Sequence, residues 1–258
     1  MTQKEALHIL KMGHSVFLTG AAGTGKTHLL NEYIDYLKSK NLNIAITAST
    51  GIAATHIGGQ TIHSWSGIGI YDNLNDFNLD KILQNEKLFN KYKKIKVLII
   101  DEISMLHGSK LNMINTLFKK FRDNNLAFGG IQVIFCGDFF QLPPVIKNKN
   151  DITNDFAFNS NSWQELNPII CYLEENYRQK NNSLVDLLNN IRLNKNKDEV
   201  LSLLNKFITK KSEEDILKLY THNVNVDEIN EKKYNSLSNK LKEYSFEMFQ
   251  KGKKKYID

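Results

Sequence analysis

Val16-Phe-Leu-Thr-Gly-Ala-Ala-Gly-Thr-Gly-Lys-Thr27 joins a short apolar run to a glycine-rich loop, and a helical pattern follows from His28. Val16 to Leu18 reads as a buried parallel strand. Strand, glycine loop and helix in that order form the setting a phosphate-binding loop requires. The loop residues Gly20, Ala21, Ala22, Gly23, Thr24 and Gly25 can turn successive backbone N–H groups inward around phosphate oxygens. The helix start adds free N–H groups and partial positive charge. Lys26 is placed to reach the β- and γ-phosphates of a nucleotide, and the Thr27 hydroxyl to ligate Mg²⁺. The plain alternative is an ordinary glycine turn between strand and helix.

Working outward, Thr2 to Lys11 has helical spacing, with Ala6, Leu7 and Leu10 on one face. Buried strands are expected at Asn43 to Ala48, Val97 to Glu102, Ile131 to Cys136 and Ile169 to Leu173. Helices are expected after the phosphate loop to about Asn41 and over Lys110 to Phe121, Ser183 to Leu193, Asp198 to Ile208 and Val226 to Leu237. Ile216 to Tyr220 reads as one more strand. Tyr71 to Lys94 reads as polar and irregular, with one short helical pattern around Leu79 to Leu83, and Lys147 to Asn161 as a loop. Strands alternating with helices predict a parallel α/β sheet.

With 258 residues and 41% hydrophobic content, the chain can build one large domain or one domain and part of another. No apolar run is long enough to span a bilayer, and Met1 to Gly13 lacks the apolar core of a secretory signal. Cys136 and Cys171 sit in strand-like runs and read as buried thiols in a reducing compartment. The net charge of +6 permits a polyanionic partner, although a solvated lysine-rich surface accounts for it equally well.

Asp101-Glu102 ends a buried strand, the edge where α/β sheets gather ligands. Asp101 is placed to hold Mg²⁺ opposite Thr27, and Glu102 to deprotonate an attacking water, which favours a hydrolase over a nucleoside kinase. The plain alternative is a helix cap or solvated turn. Gln141, beyond the next strand and before two prolines, can put an amide near a γ-phosphate on a stiff segment, or be plain loop. Arg178 can neutralise charge on a transferring phosphoryl group, although a surface salt bridge with Glu174 or Glu175 fits the local sequence better. Thr50, Gly51, Gln60, Thr61, His63 and Ser64 form a polar set suited to a nucleic-acid backbone. Trp65 and Phe140 can stack on bases, with a core position the better reading for Trp65. His63 has no partner at metal-ligand spacing.

Taken in order, the motifs resemble those of the Pif-type (petite integration frequency) DNA helicases, in the 5′-to-3′ branch of superfamily one. The resemblance rests on GAAGTGKT at 20–27, TASTGIAA at 47–54, GGQTIHSW at 58–65 and LIIDEISML at 98–106. It continues with FCGDFFQLPPV at 135–145, LEENYRQ at 173–179 and THNVNVDEIN at 221–230. It implies a RecA-like P-loop NTPase domain over residues 1–175, with a small inserted subdomain at 68–92. Residues 176–258 would begin an incomplete second RecA-like domain. On this resemblance Gln3 reads the adenine base, Lys26 and Thr27 take phosphate and Mg²⁺, and Asp101 and Glu102 hold the metal and activate water. Gln141 senses the γ-phosphate, Arg178 is the arginine finger, and Thr50, Gly51, Thr61 and His63 fall in segments that contact single-stranded DNA.

The implied activity is an ATP-dependent 5′-to-3′ DNA helicase using ATP and Mg²⁺, in DNA repair, recombination and genome or telomere maintenance. The implied partners are single-stranded DNA and DNA junctions or forks, with no membrane, and the helicase acts as a monomer. The implied setting is the cytoplasm and nucleoid in a prokaryote, or the nucleus or mitochondrion in a eukaryote. A RecD-type helicase and a P-loop ATPase switch without unwinding activity are the alternatives. The family's lysine–serine–glutamine–glycine motif and its final arginine motif do not occur in these 258 residues. The sequence is therefore read as a fragment, expected to bind nucleotide weakly and not to unwind DNA.

Overall fold

The computed structural model describes residues 1–69, 71, 75–145, 156–175, 182–208, 219–220, 223–237 and 242. A first compact unit runs from Met1 to Ser202 and a second from Leu203 to Asp258.

The first unit is built on six strands: β1 (Val16–Gly20), β2 (Ile44–Ala48), β3 (Gln60–Thr61), β4 (Val97–Asp101), β5 (Gln132–Cys136) and β6 (Ile169–Leu173). They lie in the order β3-β2-β4-β5-β1-β6, and every pair is parallel. Parallel neighbours need crossover connections, which the helices supply. In chain order the helices are α1 (Gln3–Lys11), which precedes β1, α2 (Lys26–Ser39), α3 (Gly51–His56), α4 (Ile62–Ser66), α5 (Asp76–Leu83) and α6 (Glu86–Lys94). There follow α7 (Gly108–Arg122), α8 (Asn161–Leu166), α9 (Asn182–Arg192), α10 (Lys197–Ile208) and, in the second unit, α11 (Asn223–Asn235).

Side chains alternate across each strand, so one strand feeds two cores. Val16, Leu18, Val97, Ile99, Ile134 and Cys136 pack with Ala6, Leu10, Leu29, Leu30 and Tyr33. Phe17, Leu98, Ile100, Val133 and Phe135 pack on the other face with Trp65, Tyr92, Leu117 and Phe118. Burial on both faces is why these strands read as unbroken apolar runs rather than as alternating ones. Trp65 is a core residue, stacked on Phe118 at 5.8 Å and 3% exposed, which removes it as a base-stacking platform. Both cysteines are buried and free.

Two segments differ from the expected pattern. Residues 71–94 hold helices α5 and α6 in place of irregular chain with one short helix. Ile68, Ile82 and Tyr92 bury in the same core as the sheet, and Arg122 Nη1 donates to the Tyr92, Lys93 and Ile95 carbonyls. The end of the expected 147–161 loop carries a short 3-10 turn, Ala157–Asn159, and the start of α8, which Ser160 caps through Trp163 N. Most of the expected strand at Ile216 to Tyr220 lies outside the described residues, and Leu219 and Tyr220 carry no regular structure.

Candidate nucleotide site

From β1 the chain passes β5 and β4 to reach β2, then returns to fill both gaps. The direction of strand order reverses there, so the carboxyl ends of β1, β4 and β5 form a crevice. Three sequence motifs emerge into it: the phosphate loop after β1, Asp101-Glu102 at the end of β4, and Asp138 to Gln141 after β5.

The phosphate loop is arranged by its own backbone. Gly25 takes a left-handed conformation (φ 79°) as the N-cap of α2, and no side chain caps that helix. Only glycine enters that conformation at little cost, and the unspent N–H groups suit an anion. No acidic residue stands in the first turn of α2 to compete. Lys26 Nζ donates to the Gly20 and Ala21 carbonyls at 2.9 and 3.1 Å, so the lysine lies along the loop itself. Thr24 Oγ1 donates to Ala21 O at 2.9 Å, and Gln3 Nε2 to Thr24 O at 3.1 Å. Gln3 is thus brought against the loop from α1, whose start is fixed by a Thr2–Glu5 capping box. Thr27 is exposed beside Lys26.

Asp101 is 6% exposed, and its Oδ1 accepts from Glu102 N at 2.9 Å. Burial pushes its carboxyl above the ordinary range, against the pull of the Cys136 thiol, the Glu102 N–H and the Lys26 charge. Glu102 is also raised, by burial first and then by the neighbouring Asp101 charge, with Lys26 opposing. Both carboxylates therefore feel the phosphate-loop lysine, and the two motifs share one electrostatic site. Glu102 adopts a left-handed backbone conformation (φ 51°, ψ 45°). Its carbonyl accepts from Ser49 Oγ at 2.7 Å, and Ser49 N donates to Asp101 O at 3.1 Å. A strained non-glycine residue held by specific bonds is a hallmark of working sites.

Mg²⁺ typically takes one or two carboxylates and fills its other positions with phosphate oxygens and water. The buried Asp101 carboxylate at the end of β4, with the Thr27 hydroxyl beside Lys26, fits a metal that arrives with a nucleotide. Among the described residues no cluster of three or more His, Cys, Asp or Glu forms a self-contained metal cage.

Past β5, Asp138 is 2% exposed and collects four bonds. Its Oδ1 accepts from Phe140 N, its Oδ2 from Gln141 Nε2 at 3.1 Å and from Arg192 Nη1 at 2.5 Å, and its carbonyl from Gln141 N at 2.9 Å. Burial raises the Asp138 carboxyl, but the bonds from Arg192, Gln141 and Phe140 N outweigh it and leave it below the usual range. A cleft of about 290 Å³ is lined by Ala21 and Ala22, by Asp138, Phe140 and Gln141, and by Val185, Leu188 and Arg192 of α9. Arg192 went unremarked in the sequence, because its partner is 54 positions away.

The remaining candidates lie elsewhere. Thr50 and Thr61 cap α3 and α4, accepting from Ala53 N and Ser64 N at 3.3 Å each. β2 and β3 are parallel neighbours, which brings both threonines to the carboxyl edge of the sheet, with Gly51 exposed at the start of α3. His63 is half-buried, and burial, then Lys110 and His107, lower its pKa. Arg178 lies outside the described residues.

A parallel sheet with a phosphate loop and a strand-end carboxylate pair at its switch point defines a P-loop NTPase domain. Within that class the chain belongs to the PIF1-like helicase family, whose model matches residues 2–214. It is 47% identical over 239 residues to the ATP-dependent DNA helicase Pif1 of Psychrobacter sp. (strain PRwf-1), covering 90% of this chain and 36% of that one. The solved structure of Pif1 helicase from Candida albicans superposes with a TM-score of 0.81 at 41% identity, over 92% of this chain and 54% of that one. The Bacteroides Pif1 helicase solved with ADP-AlF3 and single-stranded DNA matches with a TM-score of 0.75 at 30% identity, over 92% of this chain and 57% of that one. The chain thus spans about a third of the curated relative and just over half of the solved ones.

Proposed function

We propose that this chain carries the ATP-binding half of a DNA-stimulated ATPase that drives 5′-to-3′ helicase movement. The observation that supports it best is the shared field of Lys26, Asp101 and Glu102 at the end of β4. Gln3 fixes the loop from the α1 side and is in position to read the adenine base. The α2 N-terminus and Lys26 bind the phosphates, and Thr27 and Asp101 hold Mg²⁺, which supplies charge neutralisation on the phosphate oxygens when bound. Glu102, its pKa raised by burial and by the Asp101 charge, accepts a proton from the attacking water. Gln141 senses the γ-phosphate, and Arg178 contributes as the arginine finger. Residues 1–175 form the first motor domain, with 68–92 inserted in it, and residues 176–258 begin the second.

Thr50, Gly51, Thr61 and His63 contact the backbone of single-stranded DNA. Each capping threonine accepts through its oxygen, which leaves the hydroxyl proton for a phosphate. Ser49 ties this edge to the Glu102 backbone, a direct route from DNA to the catalytic carboxylate. Forks and junctions are the expected substrates of the whole protein, in repair, recombination and genome or telomere maintenance. It works as a monomer wherever its DNA lies: the nucleoid, nucleus or mitochondrion.

The test is the rate of ATP hydrolysis with and without single-stranded DNA, measured beside Glu102→Gln. Stimulation in the native chain that is absent in Glu102→Gln supports the motor. A rate indifferent to DNA favours a P-loop switch without unwinding activity.

A further inference from the structure

Arg192 sits at the C-terminal end of α9, a helix that carries none of the three site motifs. Its side chain is 12% exposed and pairs with Asp138, whose side chain is 2% exposed. Such a pair differs from a surface ion pair, because a buried carboxylate that loses its counter-charge is strongly disfavoured. Asp138 Oδ2, which accepts from Arg192, also accepts from Gln141 Nε2 at 3.1 Å. The Arg192 Cζ lies over the Phe140 ring, 4.5 Å from its centroid. One cation therefore bonds a buried carboxylate and lies over an aromatic ring at the same time, two contacts that a lysine ammonium does not reproduce in the same way. Arg192, Asp138 and Gln141 all border the cleft beside Ala21 and Ala22 of the phosphate loop.

We propose that Arg192 is a positioning residue for nucleotide sensing, holding the Gln141 amide at the phosphate-loop cleft through Asp138 and carrying the state of the terminal phosphate into α9. The proposal rests on the reading of Gln141 as the γ-phosphate sensor. Arg192 acts through Asp138, so its loss changes how well the site tells ATP from ADP rather than how well it binds nucleotide.

The experiment is equilibrium binding of ADP and of a non-hydrolysable ATP analogue to the 258-residue chain. It compares the native chain with Gln141→Ala, Arg192→Ala, Arg192→Lys and the Gln141→Ala/Arg192→Ala pair. The native chain should prefer the ATP analogue. Gln141→Ala and Arg192→Ala should each cut that preference by about tenfold, equivalent to ~1.4 kcal/mol. ADP affinity should stay within about twofold, the double variant should be no worse than Gln141→Ala, and Arg192→Lys should recover only part of the preference.

Arg192→Ala with the native preference overturns the proposal and leaves the phosphate site standing. Equal losses for ADP and the analogue, or additive losses in the double variant, reduce Arg192 to a structural role and also overturn it. A native chain that binds both nucleotides equally overturns the sensor reading of Gln141 and the positioning role of Arg192 with it. A native chain that binds neither overturns the phosphate-loop reading as well.

Discussion

Glu102 holds a backbone conformation that costs a non-glycine residue about 1–3 kcal/mol. The cost is offset by bonds on both sides, from its own N–H to Asp101 Oδ1 and from Ser49 Oγ to its carbonyl. The proposed role of Glu102 as the base is judged by hydrolysis rather than by stability. Glu102→Gln should lower ATP turnover by about 100-fold or more, the low end of general-base contributions, with nucleotide affinity nearly unchanged. Phosphate release and an independent binding titration measure the two, and normal turnover in Glu102→Gln would remove it from the role of base. Ser49→Ala frees the Glu102 carbonyl without touching nucleotide. It should lower kcat several-fold, on the order of one lost hydrogen bond, and leave KM for ATP in place. A KM effect with unchanged kcat would show that Ser49 does not aim Glu102.

Among the elements, α1 and α2 are tied to β5 by one buried phenol. The Tyr33 hydroxyl lies 2.9 Å from Leu10 O and 2.8 Å from Gln132 Oε1, while Gln132 Nε2 donates to Leu10 O and His14 O. Burial pushes the Tyr33 phenol up to about 12, against an ordinary value of 10.0. The folded state thus holds this proton more tightly than the unfolded state. The stability it brings is fully present below the ordinary value and is lost as pH rises through about 12. Tyr33→Phe should cost about 1 kcal/mol at neutral pH and flatten part of the alkaline loss. Denaturant unfolding at neutral and alkaline pH checks both, and an unchanged alkaline slope would show that other groups set it.

Gly59 gives a second element-scale test. A Cβ there would stand 2.3 Å from Ile46 O, so the approach of β3 to β2 requires glycine. Gly59→Ala should destabilise the first unit by a few kcal/mol, on the order of ~1–3 for overpacking. A thermal midpoint equal to the native one would contradict the tight β2–β3 approach.

At this scale the sequence was legible where a single strand or helix carries its own signal. β1, β4 and β5 are unbroken apolar runs because both faces are buried. α6 reads as irregular in the sequence because Leu88, Phe89 and Tyr92 stand among four lysines, an asparagine and a glutamate, and of its nine residues only Tyr92 is buried. α8 has six residues, too few for a helical period to register. The phosphate loop and the carboxylate pair were legible for the same local reason. The Asp138–Arg192 pair was not, because no spacing rule links residues brought together only by the fold.

For the whole molecule, net charge +6 and a polar strand edge carrying Thr50 and Thr61 predict binding through the DNA backbone. The logarithm of affinity for single-stranded DNA should fall linearly with the logarithm of salt concentration, by about 0.7 per phosphate neutralised. Oligonucleotides of different sequence should bind within a few-fold of one another, as expected of about equal backbone contacts. Salt-independent or sharply sequence-selective binding would argue for base readout and against this edge as the contact surface. Among the described residues no helix is long and apolar enough to cross a membrane.

Val16 to Thr27 is proposed as the phosphate-binding wall of an ATP site, and every other assigned role presupposes it. Titration of the chain with a fluorescent ATP analogue in Mg²⁺, beside Lys26→Ala, tests it most directly. Binding should be saturable, displaced by unlabelled ADP and weakened about tenfold or more by Lys26→Ala, since a charge-assisted phosphate contact is lost. Equal binding by the two proteins, or no binding by the native chain, would contradict it.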